Sequence, residues 1–432
     1  MYLTHLRLKG VRGFYGPRVV DLDFARPDGS YAGWTVLAGR NGSGKTTLLR
    51  AIVLALGGIN RADQLDEELN DWLSPGQDSG SASVGVLPDL THDIGAIGSG
   101  RQDAVLVWHR TSEFHVMSLQ PGELEPLSER SPKPGWFYAA YGPFRRLTGG
   151  EYTPGLANRL TAVRTLFHED AALTEPVEQL IKEHYERLDG EREAAELLES
   201  ALRLLSNGLL PDGCRVSRVS TKGLWVIHSE DEFPLRRMSD GFRAVVALVL
   251  DIMRHMQSAY GSLDLEERDG VPVLPKPGVV LIDEIDAHLH VSWQRRIGRW
   301  LKTHFPAIQF IVTTHSPYIC QAADPNGLIR LPGPFDQEAP CVVDDELFGR
   351  VVYGSGDDAV VSELFGVDSP YSAGAEEMRS ELAELELAVV TGQADEAQRR
   401  RFAELRDRLS SSQVARVDEM LRRLELSRER DS

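Results

Sequence analysis

The stretch that most constrains this chain is "GRNGSGKT", which runs from Gly39 to Thr46. It fits the pattern G-x-x-x-x-G-K-[ST] at every fixed position, with a predicted strand before it and a predicted helix after it. Glycines let a backbone wrap around phosphate groups, and the N-terminus of the following helix adds a partial positive charge. The stretch therefore predicts a phosphate-binding loop, or P-loop, between a strand and a helix of an α/β fold.

The side chains of this loop have distinct expected roles. Lys45 is expected to reach the β- and γ-phosphates of a nucleotide, and the Thr46 hydroxyl to ligate Mg²⁺. The residues that we predict to bind the nucleotide here are Gly39, Arg40, Asn41, Gly42, Ser43, Gly44, Lys45, Thr46 and Thr47.

Two later apolar stretches end in residues that suit nucleotide hydrolysis. "GVVLIDE" ends in Asp283 and Glu284, and "IVTTHS" carries His315. Continuous apolar runs predict central parallel strands that are buried on both faces. Asp283 is expected to hold Mg²⁺, Glu284 to act as the general base on the attacking water, and His315 to reach the γ-phosphate.

The stretch "RRMSDGFRAVVALVLDIMRHM" begins with a polar turn and continues as an apolar helix that Ser239 is predicted to cap. The order of P-loop, this turn, Asp-Glu pair and histidine resembles that of the ABC-type ATPase heads, and within them the RecF/SMC-like branch. In that family two heads sandwich two ATP molecules, and a signature turn of each head reaches the nucleotide of the other. The resemblance implies that Met238–Phe242 is this turn, with Ser239 and Gly241 at the γ-phosphate of a neighbouring copy.

Asp240 departs from the usual form of the signature turn. An acid near a γ-phosphate would repel it unless the carboxylate points away. We therefore predict that Asp240 faces one of three nearby arginines, Arg236, Arg237 or Arg243.

Three other stretches bear on the resemblance. The family's magnesium-contacting glutamine is missing from "YAAYGPFRRL", where Tyr141, Gly142 and Arg145 stand, so no metal ligand is expected there. "EIDAHLHVSWQRR" resembles compact RecF-like ATPases and implies that Asp286 is an interface acid coupling two sites. "VRGF" resembles the family's N-terminal segment and implies that Arg12 approaches phosphate.

Chain length selects among the branches of this family. Only residues 147–237 lie between the middle loop and the signature turn, which are too few for the long coiled coil of SMC-type proteins. The altered signature and the missing glutamine disfavour transporter subunits. The tail after residue 340 is too short for the nuclease domain that some relatives append. What remains resembles the compact, PtuA-like ATPases of anti-phage systems.

The expected fold is an α/β P-loop NTPase head with a mixed, mainly parallel central sheet, a helical lobe and a C-terminal helical tail. We predict four segments: an ATPase lobe (1–146), a helical lobe with strands (147–237), a segment with the signature helix, the Asp-Glu pair and the histidine (238–335), and the tail (336–432). The tail helices are expected either to pack together or on the head, or to form a docking surface for a partner. "GQDSGSAS", residues 76–83, predicts a mobile loop.

Composition limits the classes of function. The formal net charge of -18 argues against broad nucleic-acid binding but is compatible with a local basic patch. The cysteines, Cys214, Cys320 and Cys341, are far apart and suit a reducing cytosol. No window approaches about 18 uncharged apolar residues, and the first residues contain no signal-peptide core. We therefore expect a cytoplasmic protein without a membrane span.

The leading hypothesis is a slow ATPase that uses ATP and Mg²⁺, with Lys45, Glu284 and His315 as its catalytic residues. It is expected to form an ATP-sandwich homodimer, or a higher homo-oligomer, and to regulate a separately encoded effector such as a nuclease in anti-phage defence. Two alternatives stay open. One is a DNA-repair type of ATPase that binds DNA directly, and the other is a structural scaffold that binds ATP without turning it over.

Overall fold

The structure is a computed structural model of the chain. It describes residues 1–65, 69–94, 100–110, 115–119, 134–143, 159–169, 171, 192–211, 213–220, 223–367 and 369–409. The chain divides into two compact units, residues 1–365 and 366–432. The stretch "VEQLIKEHYERL" (177–188), which the sequence predicts to be helical, and the residue Arg145 lie outside the described residues.

The strands and helices are numbered in chain order over the described residues. The strands are β1 (Tyr2–Lys9), β2 (Val20–Asp23), β3 (Gly33–Gly39), β4 (Ser79–Leu87), β5 (Gln102–Arg110), β6 (His115–Leu119), β7 (Tyr138–Tyr141), β8 (Arg215–Ser220), β9 (Gly223–His228), β10 (Asp231–Pro234), β11 (Glu266–Arg268), β12 (Val271–Val273), β13 (Gly278–Ile282), β14 (Ile308–Thr314), β15 (Leu328–Leu331) and β16 (Cys341–Val342). The helices are α1 (Lys45–Gln64), α2 (Arg164–Phe167), α3 (Arg192–Leu205), α4 (Asp240–Tyr260), α5 (Val291–His304), α6 (Pro317–Cys320), α7 (Asp345–Val352), α8 (Gly356–Val360), α9 (Ala373–Val390) and α10 (Glu396–Arg408).

The central sheet has the strand order β16-β15-β3-β14-β13-β7. All neighbouring pairs are parallel except β15 and β16, which are antiparallel. The mixed, mainly parallel sheet that the sequence predicts is confirmed. Because the carboxyl ends of parallel strands meet at one edge, the residues that follow β3, β14 and β13 lie side by side there.

Two apolar cores cover the two faces of this sheet. Strand side chains alternate between faces, so Leu37 and Ile311 pack with α1 and the N-terminal strands, whereas Val36 and Phe310 pack with α4 and α5. Helix α1 is thus placed between the central sheet and a second sheet of order β2-β1-β4-β5-β6. This layering holds the first turn of α1 at the edge where β3 ends.

The second sheet corrects one expectation from the sequence. The Gly- and Ser-rich stretch 76–83 was predicted to be a mobile loop, but Ser79–Leu87 forms β4 and pairs with both β1 and β5. The reason is close backbone approach: a Cβ built on Gly80 would stand 2.5 Å from the Gly10 carbonyl oxygen, and one on Gly10 would stand 2.5 Å from that of Ser79. The glycines here permit a close approach of two paired backbones, where the end of β1 meets the start of β4.

The sequence predicts that Gly57 and Gly58 close the helix after the P-loop, and this is confirmed. Gly58 has the non-helical angles φ 67° and ψ −168°, and a second short helical stretch continues beyond it to Gln64. The other long helix of the site, α4, also ends at a glycine with positive φ, Gly261 with φ 77°.

The second unit contains two helices in its described part. The stretch "VVTGQADEAQ" (389–398) predicts a break between two helices, and this is confirmed. Ser372 caps α9, and Asp395 with Gln398 forms a capping box at the start of α10. The guanidinium of Arg401 donates to the carboxylate of Glu381 across the pair.

The boundary between the two observed units lies at a different residue from the predicted start of the tail. Residues 336–365, which the sequence assigns to the tail, lie in the first unit, where β16 extends the central sheet and α7 and α8 follow. The division of the chain into four functional segments stays a prediction. In the described ranges, none of the helices has the length and apolar character required to cross a membrane.

Candidate functional site

The P-loop follows β3 and is shaped by contacts that leave no room for side chains at two glycines. A Cβ on Gly39 would stand 2.3 Å from the Leu331 carbonyl oxygen. A Cβ on Gly44, whose φ is 97°, would stand 2.4 Å from the ring of Phe14. The loop is therefore pressed between the end of β15 and an N-terminal aromatic ring, and its curvature requires glycine.

Lys45 lies at the start of α1 and is turned into the loop. Its Nζ donates to the carbonyl oxygens of Gly39 at 2.9 Å and Arg40 at 3.1 Å. Burial lowers the pKa of Lys45 to about 8, although the nearby charge of Asp283 acts in the opposite direction. The loop thus places a desolvated ammonium group in its own centre.

A chain of hydroxyl groups joins the P-loop to the strand that ends in the two acids. The Thr46 hydroxyl donates to Asp283 Oδ2 at 2.7 Å, and the Thr313 hydroxyl donates to Asp283 Oδ1 at 2.5 Å. The same Thr313 oxygen accepts from the Glu284 backbone N–H at 2.7 Å. The sequence reasoning missed Thr313; its signal is a hydroxyl at the end of the strand that precedes His315.

Glu284 has an uncommon backbone conformation for its residue type. Its φ is 44°, in the left-handed region, and the Ala287 N–H donates to its carbonyl oxygen at 2.9 Å. Such a conformation costs on the order of 1–3 kcal/mol and is concentrated at functional sites.

His315 and Asp286 lie next to each other at the same edge. Asp286 accepts hydrogen bonds from the Thr314 hydroxyl and, at 3.4 Å, from the His315 backbone N–H. Burial lowers the pKa of His315, and the charge of Lys45 acts in the same direction. Asp286, for which the resemblance implies a role between copies, thus has partners within its own chain.

The turn at 238–242 begins α4, and its polar groups are exposed. Ser239 occupies the N-cap position, but its hydroxyl makes no capping hydrogen bond, which corrects the predicted capping role. Asp240, whose side chain is 81% exposed, forms an ion pair with Arg243. The prediction that Asp240 faces one of the nearby arginines is confirmed, and its carboxylate is neutralised within its own helix turn.

The same turn packs against the loop that follows β13. A Cβ on Gly241 would stand 2.3 Å from the His288 carbonyl oxygen, so the chain needs glycine here for its own packing. The ring of Phe242 meets that of Trp293 at 5.9 Å and 73°. The turn is thereby tied to the segment between Glu284 and α5.

A buried polar network ties the end of β7 to the middle of α4. The Tyr141 hydroxyl donates to Asp251 Oδ2 at 2.8 Å, and Arg254 donates to Asp251 Oδ1 at 3.0 Å. The Tyr141 carbonyl oxygen accepts from the Asp283 backbone N–H at 2.7 Å. His255 also adjoins Asp251, and burial lowers the pKa of His255 to about 4. Tyr141 thus contacts the helix of the 238–242 turn through its hydroxyl and Asp283 through its carbonyl oxygen.

The remaining predicted residues have the following positions. Arg12 has a φ of 48°, and its guanidinium lies 4.4 Å from the centroid of the Trp72 ring. Its approach to phosphate stays a prediction. Arg40 and Asn41 are exposed on the loop, and Thr47 is half-buried in the first turn of α1.

The residues of this edge suit a nucleotide with Mg²⁺. The buried Ser43 Oγ has no hydrogen-bond partner among the described residues, as expected for a group that a ligand satisfies. The Thr46 hydroxyl and the Asp283 carboxylate are adjacent oxygen ligands of the kind Mg²⁺ takes together with phosphate oxygens. In the described part of the chain, three or more His, Cys, Asp or Glu side chains nowhere gather as a metal cluster. Thr46 and Asp283 are thus the residues that would hold a magnesium ion together with a bound nucleotide.

Comparisons with known proteins agree with this geometry. Residues 109–321 match the family model described as "AAA domain, putative AbiEii toxin, Type IV TA system", and residues 5–86 match one described as "AAA domain". The chain is 28% identical over 308 residues to the Septu protein PtuA of Bacillus mycoides, which covers 71% of this chain and 37% of that protein. The parts of this chain that carry the site are therefore similar to AAA domains, and most of the chain is similar to the Septu protein PtuA.

Further relatives of this ATPase match over shorter stretches. A retron Ec83 probable ATPase of Escherichia coli is 46% identical over 88 residues, which is 20% of this chain and 15% of that protein. The chain thus spans well under half the length of the curated relatives it matches. Among solved structures, the SMC head domain from Thermotoga maritima is 19% identical, with 80% of this chain and 100% of that chain covered and a TM-score of 0.46. That likeness is too distant to support an argument.

Proposed function

We propose that this chain binds ATP with Mg²⁺, hydrolyses it slowly, and forms an ATP-sandwich dimer that regulates a separate effector in anti-phage defence. The observation that carries the proposal is the hydroxyl chain Thr46–Asp283–Thr313, which joins the P-loop to the backbone of Glu284. Through it, a phosphate loop, a magnesium ligand and a general base lie at one sheet edge.

Each residue of this edge has a proposed task in hydrolysis. Lys45 neutralises the β- and γ-phosphates, and Thr46 and Asp283 hold the magnesium ion, which neutralises charge on the leaving phosphate when bound. Glu284 accepts the proton of the attacking water, and His315 donates a hydrogen bond at the γ-phosphate. The lowered pKa of His315 keeps the imidazole neutral near pH 7, so that it has one N–H to donate.

The dimer part of the proposal is supported by the 238–242 turn. Ser239 is exposed, its hydroxyl makes no capping bond, and it stands at the N-terminus of the long helix α4. Helix N-termini of this kind stabilise anions, but the chain's own phosphate loop is elsewhere. A nucleotide held by a second copy accounts for that unused donor group.

The part played in defence is proposed from the relatives. This chain matches only part of each Septu and retron protein that it resembles, so their whole activities and partners pass to this chain only as proposals. The site residues need no further catalytic group to act as a switch, because hydrolysis removes the γ-phosphate that joins the two copies. The effector, which we propose to be a separately encoded nuclease, and the cytoplasmic location remain predictions.

The test uses Glu284→Gln in the full chain, measured by phosphate release, nucleotide binding and light scattering. We expect hydrolysis to fall by about 10²–10⁴-fold, as for loss of a general base, with ATP binding retained. The molar mass should rise with ATP and stay raised, because the γ-phosphate is no longer removed. Glu346→Gln, an exposed acid of α7, is the matched control and should behave as the wild type.

Three results would contradict parts of this proposal. Unchanged hydrolysis in Glu284→Gln would remove the assigned base, and hydrolysis absent even from the wild type would favour the ATP-bound scaffold. An unchanged molar mass with ATP bound would remove the ATP-dependent dimer, unless sedimentation shows that the protein is already dimeric without nucleotide.

One observation favours a second function, direct DNA binding. Arg295, Arg296 and Arg299 line one exposed side of α5 at a cleft of about 540 Å³, and none of them forms an ion pair with a described residue. Arg295 and Arg296 lie over the rings of Tyr318 and Trp293, so no described carboxylate neutralises the positive charge of this side of α5. A DNA affinity that falls steeply with salt, and that Arg295→Ala with Arg299→Ala weakens, would support this function. No binding at low salt would exclude it.

A further inference from the structure

The strand order determines which side of the P-loop receives each end of a bound nucleotide. The inference below rests on the proposed function. Asp283, Glu284 and His315 follow β13 and β14, which lie on one side of β3, whereas β15 lies on the other side. If the γ-phosphate faces the acids and the histidine, the nucleoside leaves the loop on the β15 side.

The segment after β15 is in direct contact with the P-loop. The Leu331 carbonyl oxygen abuts Gly39, and the Pro334 ring lies 3.5 Å from where a Cβ on Gly42 would stand. Gly333 and Asp336 close this segment into a turn, because the Gly333 N–H donates to Asp336 Oδ2 at 2.7 Å. The turn therefore forms the wall of the loop on the side where a nucleoside would emerge.

A buried arginine holds this turn in place. The guanidinium of Arg18 donates to the carbonyl oxygens of Gly333, Pro332 and Asp336, and its Nε donates to that of Gly13. Arg18 is only 6% exposed and sits near the Phe14 ring that touches Gly44. Arg18 thus holds the turn after β15 and the segment that contains Phe14, which lie on two sides of the P-loop, in fixed positions relative to each other.

The tip of the pinned turn carries Phe335, whose exposure is 90%. That is the highest exposure among the large apolar side chains of the described residues. Turn tips ordinarily carry Gly, Asn, Asp or Ser, and an exposed phenyl ring forgoes the burial that stabilises aromatic residues. A ring presented by a rigid turn beside a ligand loop is preorganised for contact with a flat, apolar partner.

We propose that Phe335 forms the base subsite of this ATPase, with its ring against the face of the purine whose triphosphate lies in the P-loop. Stacking recognises the π-face that every base has, so the contact adds affinity without selecting adenine over guanine. Three observations support this subsite: β15 lies on the side of β3 opposite the acids, Pro334 contacts Gly42 of the P-loop, and the ring of Phe335 is exposed at the tip of the turn.

The test compares ligands with and without a base. Affinities for ATP, GTP and inorganic tripolyphosphate are measured by calorimetry for the full-length wild type and for Phe335→Ala. We expect the affinity for ATP and GTP to fall about tenfold, as for loss of one stacked aromatic ring, with tripolyphosphate unchanged. Phe335→Trp should retain the wild-type affinity for both nucleotides. Tyr353→Ala, at an exposed aromatic ring that packs on Phe348, is the matched control.

The outcomes separate this inference from the proposed function. Equal loss of tripolyphosphate affinity would show that Phe335 shapes the P-loop, and unchanged ATP affinity would show that it does not touch the base. Either result overturns the base subsite, as does an effect confined to ATP-dependent association, which would place Phe335 between two copies. A wild type that binds neither ATP nor tripolyphosphate would overturn the nucleotide site as a whole.

Discussion

Two long helices of this ATPase begin at a short turn that contains glycine and serine, and their first turns are used in opposite ways. At the start of α1, Ser43 and Lys45 are buried, and Thr46 donates to Asp283. At the start of α4, Ser239 is exposed and Asp240 pairs with Arg243 at the surface. The first helix end is enclosed by its own chain, whereas the second is open to solvent.

This difference indicates what each helix end requires from outside. The N-terminus of α1 is surrounded by Lys45, the Thr46 hydroxyl and the Asp283 carboxylate, so it needs only a ligand that carries phosphate. The end of α4 has a free hydroxyl but no lysine or acid aimed at a ligand, so by itself it makes a poor phosphate site. This difference predicts that the N-terminus of α1 binds the nucleotide of its own copy, whereas the N-terminus of α4 contacts the nucleotide of a second copy.

The largest expected effect comes from placing one defect at each helix end. Lys45→Ala and Ser239→Arg should each lower hydrolysis by at least about 100-fold, as for loss of a charged phosphate ligand or a blocked site. If α4 acts across two copies, mixing the two variants should restore about a quarter of the wild-type rate, because half of the dimers contain one intact site of two. Steady-state phosphate release measures this.

Ser258→Arg, in the exposed last turn of α4, is the control for the added charge and should hydrolyse ATP as the wild type does. A mixture that stays as inactive as its two components would contradict the assignment of α4 to the partner copy.

The next prediction separates packing from ligand contact at the 238–242 turn. Gly241→Ala should lower the free energy of unfolding by roughly 1–3 kcal/mol, because its Cβ would lie 2.3 Å from the His288 carbonyl oxygen and overpacking costs that much. Gly349→Ala, in α7 with nothing within 4 Å of the added carbon, should instead raise it by about 0.5–1 kcal/mol. Urea denaturation measures both.

Unchanged stability in Gly241→Ala would mean that the glycine has no packing role in its own chain. In that case Gly241 would be required only for contact with the nucleotide of the neighbouring copy.

A third prediction concerns the bridge between the two helix ends. Tyr141→Phe removes the hydroxyl that donates to the buried carboxylate of Asp251 on α4 and should cost about 1.5–3 kcal/mol of unfolding free energy, as for a hydrogen bond to a charged group. Because the Tyr141 backbone also pairs with that of Asp283, we expect a weaker ATP-dependent association at unchanged ATP affinity.

Tyr353→Phe, whose ring is exposed, is the control and should change stability by less than about 0.5 kcal/mol. If Tyr141→Phe lowers stability but leaves association as in the wild type, the network is structural and does not couple the two ends.

Sequence reasoning predicted the parts of this site that depend on local spacing. The P-loop pattern and the two apolar strands place Lys45, Asp283 and His315 at one edge, because a parallel sheet brings strand ends together. Thr313 and the pair of Tyr141 with Asp251 were missed. Their partners are 30 and 110 residues away in the chain, and nothing local marks such a contact.

The fold shows the same limit in β4. Its glycines and serines predicted a loop, since these residues are ordinarily found in turns. The close approach of Gly10 and Gly80 explains why small residues are needed in a paired strand there. A glycine in the sequence is compatible both with a turn and with close contact between two backbones, and the sequence alone does not distinguish the two.

The smallest expected effect is a proton taken up when nucleotide binds at the enclosed helix end. The folded chain holds the pKa of Lys45 at about 8, below the usual value, because the ammonium is buried. About half of Lys45 is therefore neutral at pH 8, and phosphate binding, which needs the charged form, should take up about half a proton and weaken as pH rises further. Calorimetry at pH 8 in buffers of different ionisation enthalpy measures this uptake.

Two variants connect this uptake to the comparison of the helix ends. In Lys45→Arg the uptake should vanish, because a guanidinium stays charged at this pH. In Ser239→Arg it should persist unchanged, since that substitution adds no group that titrates near pH 8. An uptake that survives Lys45→Arg would assign the proton to another group. An uptake lost in Ser239→Arg would mean that the open end of α4 completes the environment of Lys45, and the division between an enclosed and an open helix end would be wrong.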